Sequence, residues 1–153
     1  MERTRGPIVI LMAEDDPDDQ LLAREALAES RVLNQLHVVN DGVELLEYLR
    51  HEGRYADSGA PSPNIILLDL NMPRKDGRET LVELKSDPEF RRIPVVVLTT
   101  SKSEEDIVKS YKLGAASYLR KPVTFEGLVD LMTALGNYWV EIVEVPTTAG
   151  SPE

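Results

Sequence analysis

The sequence predicts an α/β fold, a doubly wound parallel sheet of five strands with helices on both faces. Three observations lead there. Five short apolar runs are spaced along the chain, and each is followed by a stretch that reads as helix. The run before Asp69, Ile65-Ile66-Leu67-Leu68, is apolar at successive rather than alternate positions, as in a strand covered on both faces. Turn formers, Asn40-Asp41-Gly42 and Asp76-Gly77 among them, stand where strand gives way to helix. Strand and helix in strict alternation build a parallel sheet.

Residues 8–12 form the first strand, closed by the acid cluster Glu14-Asp15-Asp16. Pro17 behind Asp16 suits an N-cap acid with proline at the first helical position. Leu21, Leu22, Ala26 and Leu27 carry that helix to about Glu29. Residues 36–39 are a second strand, and Asn40-Asp41-Gly42 turns it into a helix with Val43, Leu46 and Leu49 on one face. Between residues 51 and 64, Gly53, Gly59, Pro61 and Pro63 predict an exposed loop, long for a compact domain. The third strand ends at Asp69. After Asp76-Gly77, Leu81, Leu84 and Phe90 mark a helical segment that finishes near Asp87-Pro88. Residues 93–98 are the fourth strand, followed by a helix start at Ser103-Glu104-Glu105-Asp106 and a stop at Gly114. Ser117–Arg120 is the fifth strand, ahead of Lys121-Pro122. Thr124 caps a last helix, with Leu128, Leu131, Met132, Leu135, Trp139, Ile142 and Val143 at helical spacing. Right-handed crossovers make the flavodoxin-like order 2-1-3-4-5 the arrangement this pattern favours.

At 153 residues the chain suits one domain, residues 1–146, with residues 147–153 read as a frayed tail. Apolar residues at 42% beside 29% charged fit a globular rather than a disordered protein. The net charge of -10 repels phosphate backbones and anionic lipid, so neither nucleic acid nor a membrane is an expected partner. With no cysteine there is no disulfide, thiolate metal site or thiol nucleophile. The apolar runs are strand-sized, and the first seven residues lack the apolar region of a signal peptide, so a cytoplasmic protein is expected.

An open parallel sheet binds ligands outside the carboxyl ends of its strands. Glu14 and Asp15 close strand one, Asp69 strand three, Thr99 strand four and Lys121 strand five, so four distant parts of the chain meet at one edge. Three carboxylates there repel: two unit charges about 4 Å apart cost roughly 4 kcal/mol at an effective dielectric near ~20. Lys121 alone does not neutralise three. A divalent cation does, and an all-oxygen ligand set selects a hard ion, Mg²⁺ (or Mn²⁺). A carboxylate beside such an ion is placed to attack phosphorus and form an acyl phosphate. Lys121 and the Thr99 hydroxyl would steady charge on the phosphoryl oxygens.

Two other functions fit less well. A Mg²⁺-dependent phosphohydrolase with an aspartyl-phosphate intermediate typically resembles Asp-x-Asp-x-Thr, and here Asn71 replaces the second acid. A nucleotide or flavin binder needs a Gly-rich phosphate loop after the first strand, where this chain has acids.

Glu14-Asp15, Asp69 with Met72-Pro73 and Asp76-Gly77, Thr99, and Tyr118-x-x-Lys121-Pro122 together resemble the motif set of receiver domains of two-component response regulators. The resemblance runs over about residues 8–138. It implies that Asp69 is the phosphoacceptor and that Glu14 and Asp15 are the acidic metal pair. Asp69 and the backbone carbonyl of Asn71 would complete the protein ligands. Thr99 and Tyr118 resemble the switch pair, and Lys121 resembles the phosphate-binding lysine, usually ahead of a cis bond to proline. Glu14 stands where many members carry Asp. Asn71 and Ser101 occupy positions that influence phosphoryl lifetime in the family. Both are small and polar, so appreciable self-dephosphorylation is expected.

The long loop, the extended C-terminus and the wording Glu14-Asp15-Asp16-Pro17-Asp18-Asp19 are similar to stand-alone regulators paired with bacterial phytochrome kinases. The implied phosphodonor is a sensor histidine kinase of the bacteriophytochrome kind, in a phosphorelay read out by protein contacts. Such a protein is a switch rather than an enzyme.

Other polar residues read as structural. Asp16, Asp18 and Asp19 are helix-start acids favoured by the dipole, with no ligand role. His37 and His51 have no site built around them. Gly136 weakens the last helix by about 1 kcal/mol relative to alanine, and Val140, Ile142, Val143 and Val145 suit a strand as well as a helix. In either form the apolar stripe seeks cover, and a homodimer through the last helix and the C-terminal extension supplies it.

Overall fold

The computed structural model describes residues 8–30, 34–70, 72, 74–75, 77–99, 113–122 and 124–136, with the side chains of residues 34 and 99 left aside. In chain order the elements are β1 (Ile8–Ala13), α1 (Pro17–Glu29), β2 (Asn34–Val39), α2 (Gly42–Arg50), a 3₁₀ turn (Gly53–Tyr55), β3 (Ile65–Asp69), α3 (Gly77–Ser86), β4 (Val95–Thr99) and β5 (Ser117–Arg120). A last helix, α4, covers residues 125–136. The five strands form one parallel sheet in the order β2-β1-β3-β4-β5, as the sequence predicts.

Alternation along each strand divides the core in two. Leu11, Ile66, Leu68, Val95 and Val97 face one way, towards Leu45 and Leu49 of α2 and Leu81 and Leu84 of α3. Ile10, Met12, Ile65, Leu67, Val96 and Leu98 face the other, towards Ala23, Ala26 and Leu27 of α1 and Met132 and Leu135 of α4. β3 has no solvent-facing side. Its Ile66, Leu67 and Leu68 are fully buried, which is why its sequence carries no in–out alternation. The same period of two sets the site. Glu14 continues the series Ile10–Met12 and Asp69 the series Ile65–Leu67, so both acids emerge on the face of α1 and α4.

Helix starts follow the sequence closely. Asp16 caps α1 by accepting from Asp18 N, with Pro17 at the first position. Asp41 caps α2 by accepting from Glu44 N. Thr124 Oγ1 accepts from Gly127 N at the start of α4.

The loop from 51 to 64 is exposed over most of its length, as expected, and is anchored through tyrosines: Tyr55, in its 3₁₀ turn, packs edge-on against Tyr48 with centroids 5.1 Å apart. Tyr48 in turn donates to Pro61 O, and Asn64 Oδ1 accepts from Val9 N. Phe90, read as helical, lies in the turn after α3 and is buried there, because the helix stops at Ser86 ahead of Asp87-Pro88. β4 begins at Val95 rather than 93, since Pro94 has no N–H for the ladder. Among the described residues no peptide bond is cis, so the Lys121–Pro122 bond is trans, unlike the bond the resemblance implies. The predicted helix from Ser103, residues 139–145 and the tail lie outside the described residues, while Gly114 takes the left-handed φ of 98° expected of a stop.

Candidate functional site

The register of the sheet brings the strand ends level. Ala13 pairs with Val39 and Leu68, Asp69 with Leu98, and Thr99 with Arg120. Glu14 then extends β1 by one residue, its N–H donating to Val39 O. Its side chain is 1% exposed, and Asp69 is 6% exposed.

Glu14 is held from several sides. Its Oε2 accepts from Asp16 N at 3.0 Å, and its backbone carbonyl accepts from Gln20 Nε2, which also donates to Asn40. Oε1 lies 2.6 Å from Lys121 Nζ, an ion-pair contact without hydrogen-bond alignment, so the oxygen is buried with no aligned donor. Burial pushes the Glu14 carboxyl above its ordinary value. Lys121 and the Asp16 amide oppose that shift but do not cancel it.

Lys121 stands at the centre. Its Nζ is 2.6 Å from Glu14, 3.1 Å from Asp69 Oδ2 and 3.1 Å from Asp19 Oδ2. Burial alone would lower the lysine, but the Glu14 contact, the Asp69 and Glu14 charges and the Asp19 bond outweigh it and raise the ammonium above its usual range. These neighbours favour its ammonium form.

Oxygens of Glu14, Asp15 and Asp69 all lie within 4.8 Å of one another, with Asp15 exposed at the rim. An all-oxygen set, two of its members buried and one with an unaligned buried oxygen, fits a hard divalent ion.

The connection after Asp69 is closely fitted. Gly77 N donates to Leu70 O, and a Cβ on Gly77 would lie 2.5 Å from Asp69 O, so only glycine permits this approach. Arg74, at a left-handed φ of 62°, reaches Asp41 with Nε to Oδ2 at 2.7 Å and Nη2 to Oδ1 at 3.1 Å. Gly42 N donates to Lys75 O, which ties the same connection to the start of α2.

Of the residues singled out in the sequence, Glu14, Asp15, Asp69 and Lys121 come together. Thr99 closes β4 at the same edge, although its side chain is not among those described, and Asn71 and Ser101 lie outside the described residues. Tyr118 is half-buried on β5 and packs against the core on the α2–α3 face, opposite to the acids. Asp19 was read as a helix acid only, yet it touches Lys121. The signal available in the sequence was its place one turn beyond the acid pair.

The response regulator receiver domain model matches residues 10–133. The chain belongs to the response regulator receiver family. This receiver is 41% identical to the response regulator Rcp1 of Synechocystis over 145 residues, 95% of the chain and 97% of that protein. It superposes on the phosphorylated cyanobacterial phytochrome response regulator RcpA with a TM-score of 0.81 at 44% identity, covering 90% of this chain and 96% of that one. On the Mn²⁺-bound form of Rcp1 the TM-score is 0.78 at 42% identity, covering 88% and 96%. The receiver thus resembles regulators of phytochrome signalling over nearly its whole length, and receivers act as phosphoacceptor switches. No helix among the described residues is long and apolar enough to cross a membrane.

Proposed function

We propose that this receiver accepts a phosphoryl group on Asp69 from a sensor histidine kinase, of the bacteriophytochrome kind, and passes the signal on through protein contacts. The observation that carries the reading is the setting of Asp69 at the end of β3. It stands 3.1 Å from the half-buried Lys121 and within 4.8 Å of two further carboxylates. Glu14, Asp15, Asp69 and the Asn71 carbonyl would hold a Mg²⁺ ion, which when bound neutralises the acids and withdraws charge from phosphoryl oxygens.

This chain's own residues do the rest. A carboxylate oxygen of Asp69 forms the new P–O bond as the P–N bond to the donor histidine breaks, leaving the imidazole with the electron pair. Lys121 supplies a fixed positive charge to the phosphoryl oxygens. Thr99 and Tyr118 are the switch pair through which occupancy of Asp69 is felt on the β4–β5 side. Asn71 and Ser101 leave the acyl phosphate open to water, so the signal decays by self-dephosphorylation.

An apolar groove of about 320 Å³ borders the site, lined by Leu22, Phe125 and Leu128 beside Lys121 and Asp19. Exposed Leu22 and Phe125 there favour a protein donor over a small molecule. The acidic chain would work in the cytoplasm without nucleic acid or membrane as partner, as one receiver unit over residues 1–146 that pairs with a second copy through its C-terminal portion.

The experiment is phosphotransfer from autophosphorylated histidine kinases. A bacteriophytochrome kinase is expected to label the wild-type protein in the presence of Mg²⁺ and to leave Asp69→Asn unlabelled. Label that survives the substitution rejects the assignment.

A further inference from the structure

Lys121 faces three carboxylates, and only two of them belong to the acidic triad. The third is Asp19, three residues after the N-cap of α1. An acid there ordinarily reaches back to the N-cap amide, the reciprocal half of a capping box. Here that amide, Asp16 N, is taken by Glu14 Oε2 at 3.0 Å. Asp16 meanwhile caps Asp18 N with its own carboxylate. The helix start is satisfied without Asp19, whose Oδ2 instead accepts from Lys121 Nζ across 102 residues of sequence.

We propose that Asp19 is a positioning residue for Lys121, holding the ammonium at the site when Glu14 and Asp69 are engaged by a divalent cation. The proposal rests on the reading of Asp69 as phosphoacceptor beside a metal. Lys121 carries one charge. With Glu14 and Asp69 committed to a cation it loses two of its three counter-ions and meets a like charge nearby. Asp19 stands outside the triad and is the carboxylate that remains to it. Lacking Asp19, the ammonium competes with the cation for the same two acids or turns out to solvent. With Asp19, a phosphoryl group reaching Asp69 finds the lysine in place. The side chains of Lys121 and Asp19 are 16% and 38% exposed, so the pair is screened less than one on the open surface.

The test is a double-mutant cycle on the full chain with Mn²⁺ alone as probe, read by calorimetry. Asp19→Asn weakens Mn²⁺ binding, and the same change in a Lys121→Ala background weakens it less. The expected gap is roughly two- to fivefold, the range a half-exposed ion pair supports. Equal effects in the two backgrounds mean that Asp19 acts only as a helix acid or a bare charge, and overturn the proposal. With acetyl phosphate as donor at saturating Mg²⁺, Asp19→Asn accepts phosphoryl more slowly and Asp19→Glu restores the rate. An unchanged rate in Asp19→Asn also overturns it. Wild-type protein that takes no phosphoryl group on Asp69 defeats the phosphoacceptor reading itself. Wild-type protein that does, beside an indistinguishable Asp19→Asn variant, defeats only the role of Asp19.

Discussion

Asp41 caps α2 with Oδ1 and holds Arg74 with both carboxylate oxygens, so one buried side chain joins the start of a helix to the connection that follows Asp69. Burial works to raise its carboxyl, but the Arg74 bond and the amides of Glu44 and Val43 outweigh it and hold the group below the ordinary 3.8. A depressed folded value means that the contribution is fully present above the unfolded value and is lost as the pH falls through the folded one. Asp41→Ala should therefore cost about 1–2 kcal/mol at neutral pH, the size of a lost cap. Denaturation curves at successive pH values should show the gap to wild type narrowing below pH 3.8. A gap that stays constant to low pH contradicts the ionised cap. At this scale the sequence made the charged site legible, because Glu14, Asp69 and Lys121 stand at the carboxyl ends of three strands that a parallel sheet brings to one edge. Asp19 was not legible. Helix-start acids are common, and nothing in the sequence says that Glu14 satisfies the amide Asp19 would otherwise serve.

β3 is the element on which the others depend. It pairs with β1 on one side and β4 on the other, and its side chains enter both halves of the core. Leu67 is fully buried between β3 and the α1–α4 layer, so Leu67→Ala should destabilise the protein by about 2–5 kcal/mol, measured by chemical denaturation. A loss well under about 1 kcal/mol would mean that the α1–α4 face is loosely packed. The central strands were legible because buried parallel strands leave apolar runs between turn residues, whereas the edge strands β2 and β5 were legible from their place in the strand–helix alternation. Strand ends were less so. Pro94 delays β4, and β2 starts two residues before the apolar run because the ladder to β1 includes Asn34 and Gln35. The order in the 51–64 loop rests on Tyr48, Tyr55 and Asn64 meeting distant partners, which no local pattern reveals.

For the molecule as a whole, the sheet delivers the acid pair Glu14 and Asp15, the carboxylate of Asp69 proposed as nucleophile and Lys121 to one edge, and two half-cores keep those strand ends in register. The proposed pairing of two copies belongs to this scale. Light scattering at micromolar concentration, with and without phosphorylation, is expected to give twice the mass of a chain of 17.1 kDa. A monomer in both states would end that proposal. The central claim concerns Asp69, and the most direct measurement maps the modified residue. The protein would be phosphorylated in Mg²⁺, reduced with borohydride to convert an aspartyl phosphate to homoserine, and its peptides sequenced by mass spectrometry. Homoserine at position 69 and at no other aspartate is the expected result, whereas homoserine at another aspartate, or at none in a phosphorylated sample, would contradict the account.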